Sequence, residues 1–143
     1  MCFFYDGAEG LPDDTVNPDQ RKVIVYYDLA GNGDWDSHSH GTHVAGTIAG
    51  DNFQTPNEYD LGDGMAYNAK LVVQDVGAGG SLAGLPASLY TLFEQAMDAG
   101  ASIHSNSWGS DYNGYTQGSQ NIDEFMWDHP DFLIVFALSL IHI

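Results

Sequence analysis

The run His40-Gly41-Thr42-His43-Val44-Ala45-Gly46-Thr47-Ile48-Ala49-Gly50 carries the clearest chemistry in this chain. It predicts a helix that opens on a histidine and continues through residues small enough to pack almost backbone to backbone. The first turn of a helix presents unsatisfied N–H groups and the positive end of the helix dipole. That setting suits a histidine acting as a general base, which must be neutral to accept a proton. The same residues also fit a loop histidine leading into a packing helix. A base needs a nucleophile and an orienting acid, and the residues around it do not supply them in plain view.

The elements that must position His40 are legible from hydropathy and turn residues. Residues 7–20 form a polar loop rich in Gly, Pro and Asp, and 22–27 form a β-branched and aromatic strand. Residues 28–39 are a loop, and the histidine helix spans 40–50. An acidic loop follows at 51–64, then a strand at 69–76 and a flexible glycine turn at 77–80. A helix is expected over 86–99, with Pro86 in its first turn and Leu89, Leu92, Phe93, Ala96 and Met97 on one face. Gly100 is placed as its C-terminal cap. A short strand at 102–105, a helix at 122–127 ended by Pro130, and a strand at 132–137 complete the pattern. Strands alternating with helices predict an α/β fold with a parallel sheet and right-handed crossovers.

Composition bounds the rest. The chain has 143 residues and a formal net charge of -17, with three Lys or Arg against twenty Asp or Glu. Such a surface repels nucleic acid and anionic membranes, and both are excluded as partners. The 43% hydrophobic content suits one globular domain with a real core. Cys2 is the single cysteine, so no intrachain disulfide forms. Residues 1–6 lack the pattern of a signal peptide, and no apolar stretch reaches membrane-spanning length. The chain opens on an aromatic cluster and stops within an apolar run. The expectation is a domain truncated at both ends, spanning 1–137, with 138–143 as a tail foreign to the fold.

The string His40-Gly41-Thr42-His43-Val44-Ala45-Gly46 resembles the histidine signature of the subtilisin-like serine proteases. Further segments resemble that family in order. Gly64-Met65-Ala66-Tyr67-Asn68-Ala69 looks like its turn into the next strand, with Tyr67 where proline is usual. Ser105-Asn106-Ser107-Trp108-Gly109 looks like the wall of its primary specificity pocket, and 132–137 looks like the strand leading to its oxyanion-hole asparagine. The resemblance implies a three-layer α/β architecture, a mostly parallel sheet with helices on both faces. It implies that His40 is the base of a Ser-His-Asp triad that hydrolyses peptide bonds.

The other triad members do not match. No Asp-Thr-Gly or Asp-Ser-Gly string occurs, and neither Asp6 nor Asp28 has the context of the orienting acid. No Gly-Thr-Ser string supplies the nucleophile, and Ser139 has none of its surroundings. The resemblance therefore implies a fragment that carries the histidine and is inactive alone. It also implies secretion, a polypeptide substrate, a monomer and no required cofactor.

By the same resemblance, Gly79 and Gly80 form one rail of the substrate cleft, and Ser107, Trp108 and Gly109 form the other. Glycines let a peptide backbone approach closely and pair by main-chain hydrogen bonds. Two ordinary loops and a core tryptophan explain the same residues without a substrate. Other functions stay open as well. Asn32, Asp34 and Asp36, with Asp28 nearby, alternate as at the start of a calcium loop, and 51–63 is equally acidic. These leave room for a structural calcium ion or for a non-catalytic calcium- or peptide-binding module, although no EF-hand glycine or final glutamate is present. His38, His40 and His43 resemble the histidine string of metallo-β-lactamase-fold zinc hydrolases, with Thr42 where the acid should stand. No residue is assigned as a metal ligand.

Overall fold

The computed structural model describes residues 12–33, 39–52, 54–55, 58–110 and 112–137. Cys2, Asp6, Asp34, Asp36, His38, Ser139 and the expected tail 138–143 lie outside the described residues. The chain divides into two compact units, Met1–Gly84 and Leu85–Ile143.

In the first unit, strand β1 (Val23–Asp28) pairs in parallel with β2 (Leu71–Asp75), and helix α1 (His40–Ala49) lies in the connection between them. A parallel pair needs such a crossover, because a short turn cannot return the chain to the same end of the sheet. Val25 faces Val72, Tyr26 faces Val73 and Asp28 faces Asp75, with an irregularity between Val23 and Val25. Val25 and Ala49 are fully buried.

All three cationic side chains of the protein work inside this unit. Arg21 pairs with the Asp51 carboxylate at 3.1 Å and also reaches the Asp51 carbonyl. The Lys22 ammonium donates to the carbonyls of Tyr67 (2.5 Å) and Ala69 (2.6 Å). Burial pushes the Lys22 pKa below its ordinary value, an effect that nearby Asp51 opposes. Lys70 donates to the carbonyls of Pro18 and Gln20. Residues 18–22 are thus tied to 51 and to 67–70. Lys22, expected as the first strand residue, instead turns its side chain to the later turn.

The second unit contains α2 (Leu89–Asp98), β3 (Ile103–Asn106), α3 (Gln117–Asp128) and β4 (Leu133–Phe136). Strands β3 and β4 are parallel, from Ile103 opposite Leu133 to Asn106 opposite Phe136, with α3 as the crossover. Leu92, Phe93, Ala96, Phe125, Phe132 and Ile134 form the core. Phe125 is its hub. Its ring lies 5.4 Å from Phe93, 5.2 Å from Phe132 and 4.9 Å from Tyr90, all edge to face.

Two helix ends differ from the sequence expectation. Helix α2 starts at Leu89 behind Ser88, so Pro86 lies outside the helix rather than in its first turn. Helix α3 starts five residues earlier than expected, because Thr116 and Ser119 form a reciprocal capping box across the polar turn. The other end of α2 behaves as expected. Gly100 adopts φ +95, its N–H reaches the Met97 carbonyl, and the Ala101 N–H reaches the Ala96 carbonyl. This is the Schellman arrangement, in which a left-handed glycine turns the chain and satisfies the last carbonyls. The α/β class is therefore seen directly. The described strands form two sheets of two, β1-β2 and β3-β4.

Candidate active site

His40 is the first residue of α1. Ser39, before it, has left-handed backbone (φ 59, ψ 7) and makes no side-chain cap. Among the described residues it is the single non-glycine with positive φ. A residue there bends the chain sharply into the helix, and such backbone persists only where the surroundings impose it. The Ser39 carbonyl accepts the His43 N–H at 3.0 Å, so the first turn is closed. His40 and His43 are both exposed.

The far end of α1 is tied to another segment. The N–H groups of Gly64, Met65 and Ala66 donate to the carbonyls of Gly50 (2.8 Å), Thr47 (3.0 Å) and Ile48 (2.7 Å). These are C-terminal carbonyls of the kind that a helix cannot satisfy itself. The approach needs glycine at position 64. A Cβ on Gly64 would lie 2.6 Å from the Ala49 nitrogen and 2.7 Å from the Gly46 oxygen. The backbone of 64–66 thus seals the end of the helix that His40 opens.

The Asp28 carboxylate is occupied by its own turn. Its Oδ1 accepts from the N–H groups of Gly31 (2.7 Å) and Asn32 (3.3 Å), and its Oδ2 accepts from Gly33 (2.9 Å). Asn32 in turn donates its side-chain amide to the Gly77 carbonyl at 2.8 Å.

Gly79 and Gly80 sit at the tip of a tight two-residue turn. Their φ angles are +56 and +82, and Ala78 and Ser81 exchange two main-chain bonds of 2.9 Å. Positive φ at both central residues is the requirement of a type I′ turn, which glycine meets without strain. The sequence predicts a flexible turn here, and the structure closes it into a small hairpin. Both glycines are exposed.

In the second unit, Ser107, Trp108 and Gly109 follow β3 directly. Trp108 is half-buried and meets Phe136 edge to face at 5.1 Å. Asn106, just before them, is buried, and its amide donates to the Val135 carbonyl at 3.2 Å. Its own carbonyl accepts the Ala137 N–H at 2.9 Å. Neither Asn106 nor Asn32 is predicted as a positioning residue. An asparagine at a strand end and one in a glycine-flanked loop are the available signals. His40 and the Gly79-Gly80 turn belong to the first unit, and Ser107 to Gly109 belong to the second.

The acidic loop is internally bonded. Asp63 accepts the N–H groups of Asn52 (3.0 Å) and Asp60 (2.7 Å). Asp60 accepts the Asn52 amide and the Thr55 hydroxyl, and the Thr55 bond is the leading cause of its lowered pKa. Among the described residues, no group of three or more His, Cys, Asp or Glu side chains is arranged to hold a metal ion. No helix among them is long and apolar enough to cross a membrane.

A histidine thus stands at the head of a helix sealed at its far end, within an α/β frame. The chain matches the subtilase family over residues 11–139, and it belongs to that family. It is 34% identical to the serine protease/ABC transporter B family protein tagB of Dictyostelium discoideum over 141 residues, covering 95% of this chain. It is 36% identical over 139 residues to tagA of the same organism, named in the same way, covering 94% of this chain. The chain spans about 7% of the length of each of these relatives.

Proposed function

We propose that this chain is part of the catalytic domain of a subtilisin-like serine endopeptidase and contributes its general base, His40. The family membership supports this reading, as does the name serine protease borne by the relatives. The observation that carries it is the placement of His40 at the head of α1, with the opposite end of that helix sealed by the backbone of 64–66. A base held on such a scaffold takes the proton of a serine hydroxyl as it attacks the peptide carbonyl, then returns it to the leaving amine. The serine and the orienting acid come from sequence outside these 143 residues, so the chain alone is inactive. The complete domain has a three-layer α/β architecture, a mostly parallel sheet with helices on both faces. An extended peptide pairs by main-chain hydrogen bonds with the Gly79-Gly80 turn, and Ser107, Trp108 and Gly109 are likewise read as substrate-contacting residues. The reading includes secretion, a polypeptide substrate, a monomer, and no cofactor beyond an optional structural calcium ion.

The test is peptide hydrolysis by the complete protein with and without His40→Ala. Loss of hydrolysis by several orders of magnitude is expected, and unchanged hydrolysis overturns the assignment. Fluorophosphonate labelling of the 143-residue chain by itself is expected to be nil.

A further inference from the structure

Gly77 lies where β2 gives way to the Gly79-Gly80 turn, and side chains hold both of its main-chain polar groups. Asp75 Oδ1 accepts its N–H at 2.9 Å, and Asn32 Nδ2 donates to its carbonyl at 2.8 Å. Asn32 stands 45 residues earlier in the chain. It is held in turn by Asp28, whose carboxylate gathers the N–H groups of Gly31, Asn32 and Gly33. Asp28 and Asp75 are register partners at the C-terminal ends of β1 and β2. Each of these neighbouring carboxylates therefore organises one half of a single brace.

The return leg is seated as firmly. The Gly84 N–H donates to the Val76 carbonyl at 3.0 Å. A Cβ on Gly84 would lie 2.7 Å from the Ala30 nitrogen and 2.8 Å from the Leu29 carbonyl carbon. At the tip, by contrast, a Cβ on Gly79 or Gly80 would meet nothing within 4 Å. The turn is fixed at its base and bare at its end.

We propose that Asn32 is a positioning residue that fixes the 77–81 turn so that the main chain of Gly79 and Gly80 meets an extended peptide substrate in one place. The role toward substrate rests on the peptidase reading above; the brace does not. A substrate too short to reach the turn gains nothing from Asn32, whereas a peptide of several residues gains a preformed edge in place of one it must order on binding.

Asn32→Asp keeps the side-chain shape and removes its N–H donors. In the 143-residue chain, amide resonances of 77–81 are expected to move, and their hydrogen exchange to quicken roughly two- to tenfold, the range of one net hydrogen bond. Unmoved resonances overturn the proposal. In the complete protein, KM for an extended peptide is expected to rise by roughly the same factor, with kcat unchanged and a single-residue amide substrate unaffected. Equal loss on both substrates overturns the role toward substrate. A wild-type protein that hydrolyses neither substrate overturns the peptidase reading instead, and the resonances still decide the brace.

Discussion

Gly64 stands against the carbonyl of Gly46 so closely that a methyl group on Gly64 would lie 2.7 Å from that oxygen. The contact joins the turn before β2 to the helix that carries His40, and it leaves no room for a side chain. Gly64→Ala is therefore expected to destabilise the chain by about 1–3 kcal/mol through overpacking. Urea denaturation measures this, and a midpoint unchanged from wild type contradicts it.

Gly100 gives the contrasting case. Nothing lies within 4 Å of a Cβ built there, but its φ is +95. Gly100→Ala strains the backbone without a clash, so a loss of about 1 kcal/mol is expected. Gly100→Asn is expected to lose less than Ala, since asparagine tolerates left-handed backbone better. Thermal melting of the three proteins in parallel checks the order.

His104 makes stability depend on pH. Burial lowers its pKa from 6.5 to about 4, against an opposing hydrogen bond with Asn106. Its ring stands edge to face with Phe93 at 5.0 Å. Between these values the unfolded chain binds a proton that the folded chain refuses. The stabilisation is thus complete above about pH 6.5 and is lost as pH falls toward 4. The full effect is about 3 kcal/mol at about 1.4 kcal/mol per unit. His104→Phe removes the titration, so this part of the pH dependence is expected to vanish in denaturation curves measured between pH 4 and 7.

The Arg21–Asp51 pair should outweigh any surface interaction. Its side chains are 13% and 3% exposed, so Asp51→Ala leaves a largely buried guanidinium without its counter-charge. A loss of about 3 kcal/mol or more is expected. The exposed Tyr115–Asp123 hydrogen bond serves as the control, and Tyr115→Phe is expected to leave stability close to that of the wild type. Equal effects of the two substitutions would refute the ranking.

Hydropathy and punctuation made the frame legible in the sequence. The β-branched run ending at Tyr27 and the apolar run from Leu71 are parallel neighbours, and Gly100 ends α2 as its type and place predict. The missed helix start at Gln117 shows the limit, because apolar period cannot see a turn held by two hydroxyls, Thr116 and Ser119. His40 was legible because a local string determines both the helix start and the small residues behind it. Asn32 was not, since its bond to Gly77 joins loops far apart in sequence, and a lone asparagine carries no mark of its partner.

The engagement of Arg21, Lys22 and Lys70 has a consequence for how the chain meets other enzymes. Trypsin-like peptidases need a basic side chain free to enter their own pocket, and this protein has three in all. Each is held by a carboxylate or by main-chain carbonyls of another segment. Lys22, buried, and Arg21, held by Asp51, are thus withdrawn from such enzymes in the folded first unit, and tryptic cleavage at these two positions becomes a clock for its opening.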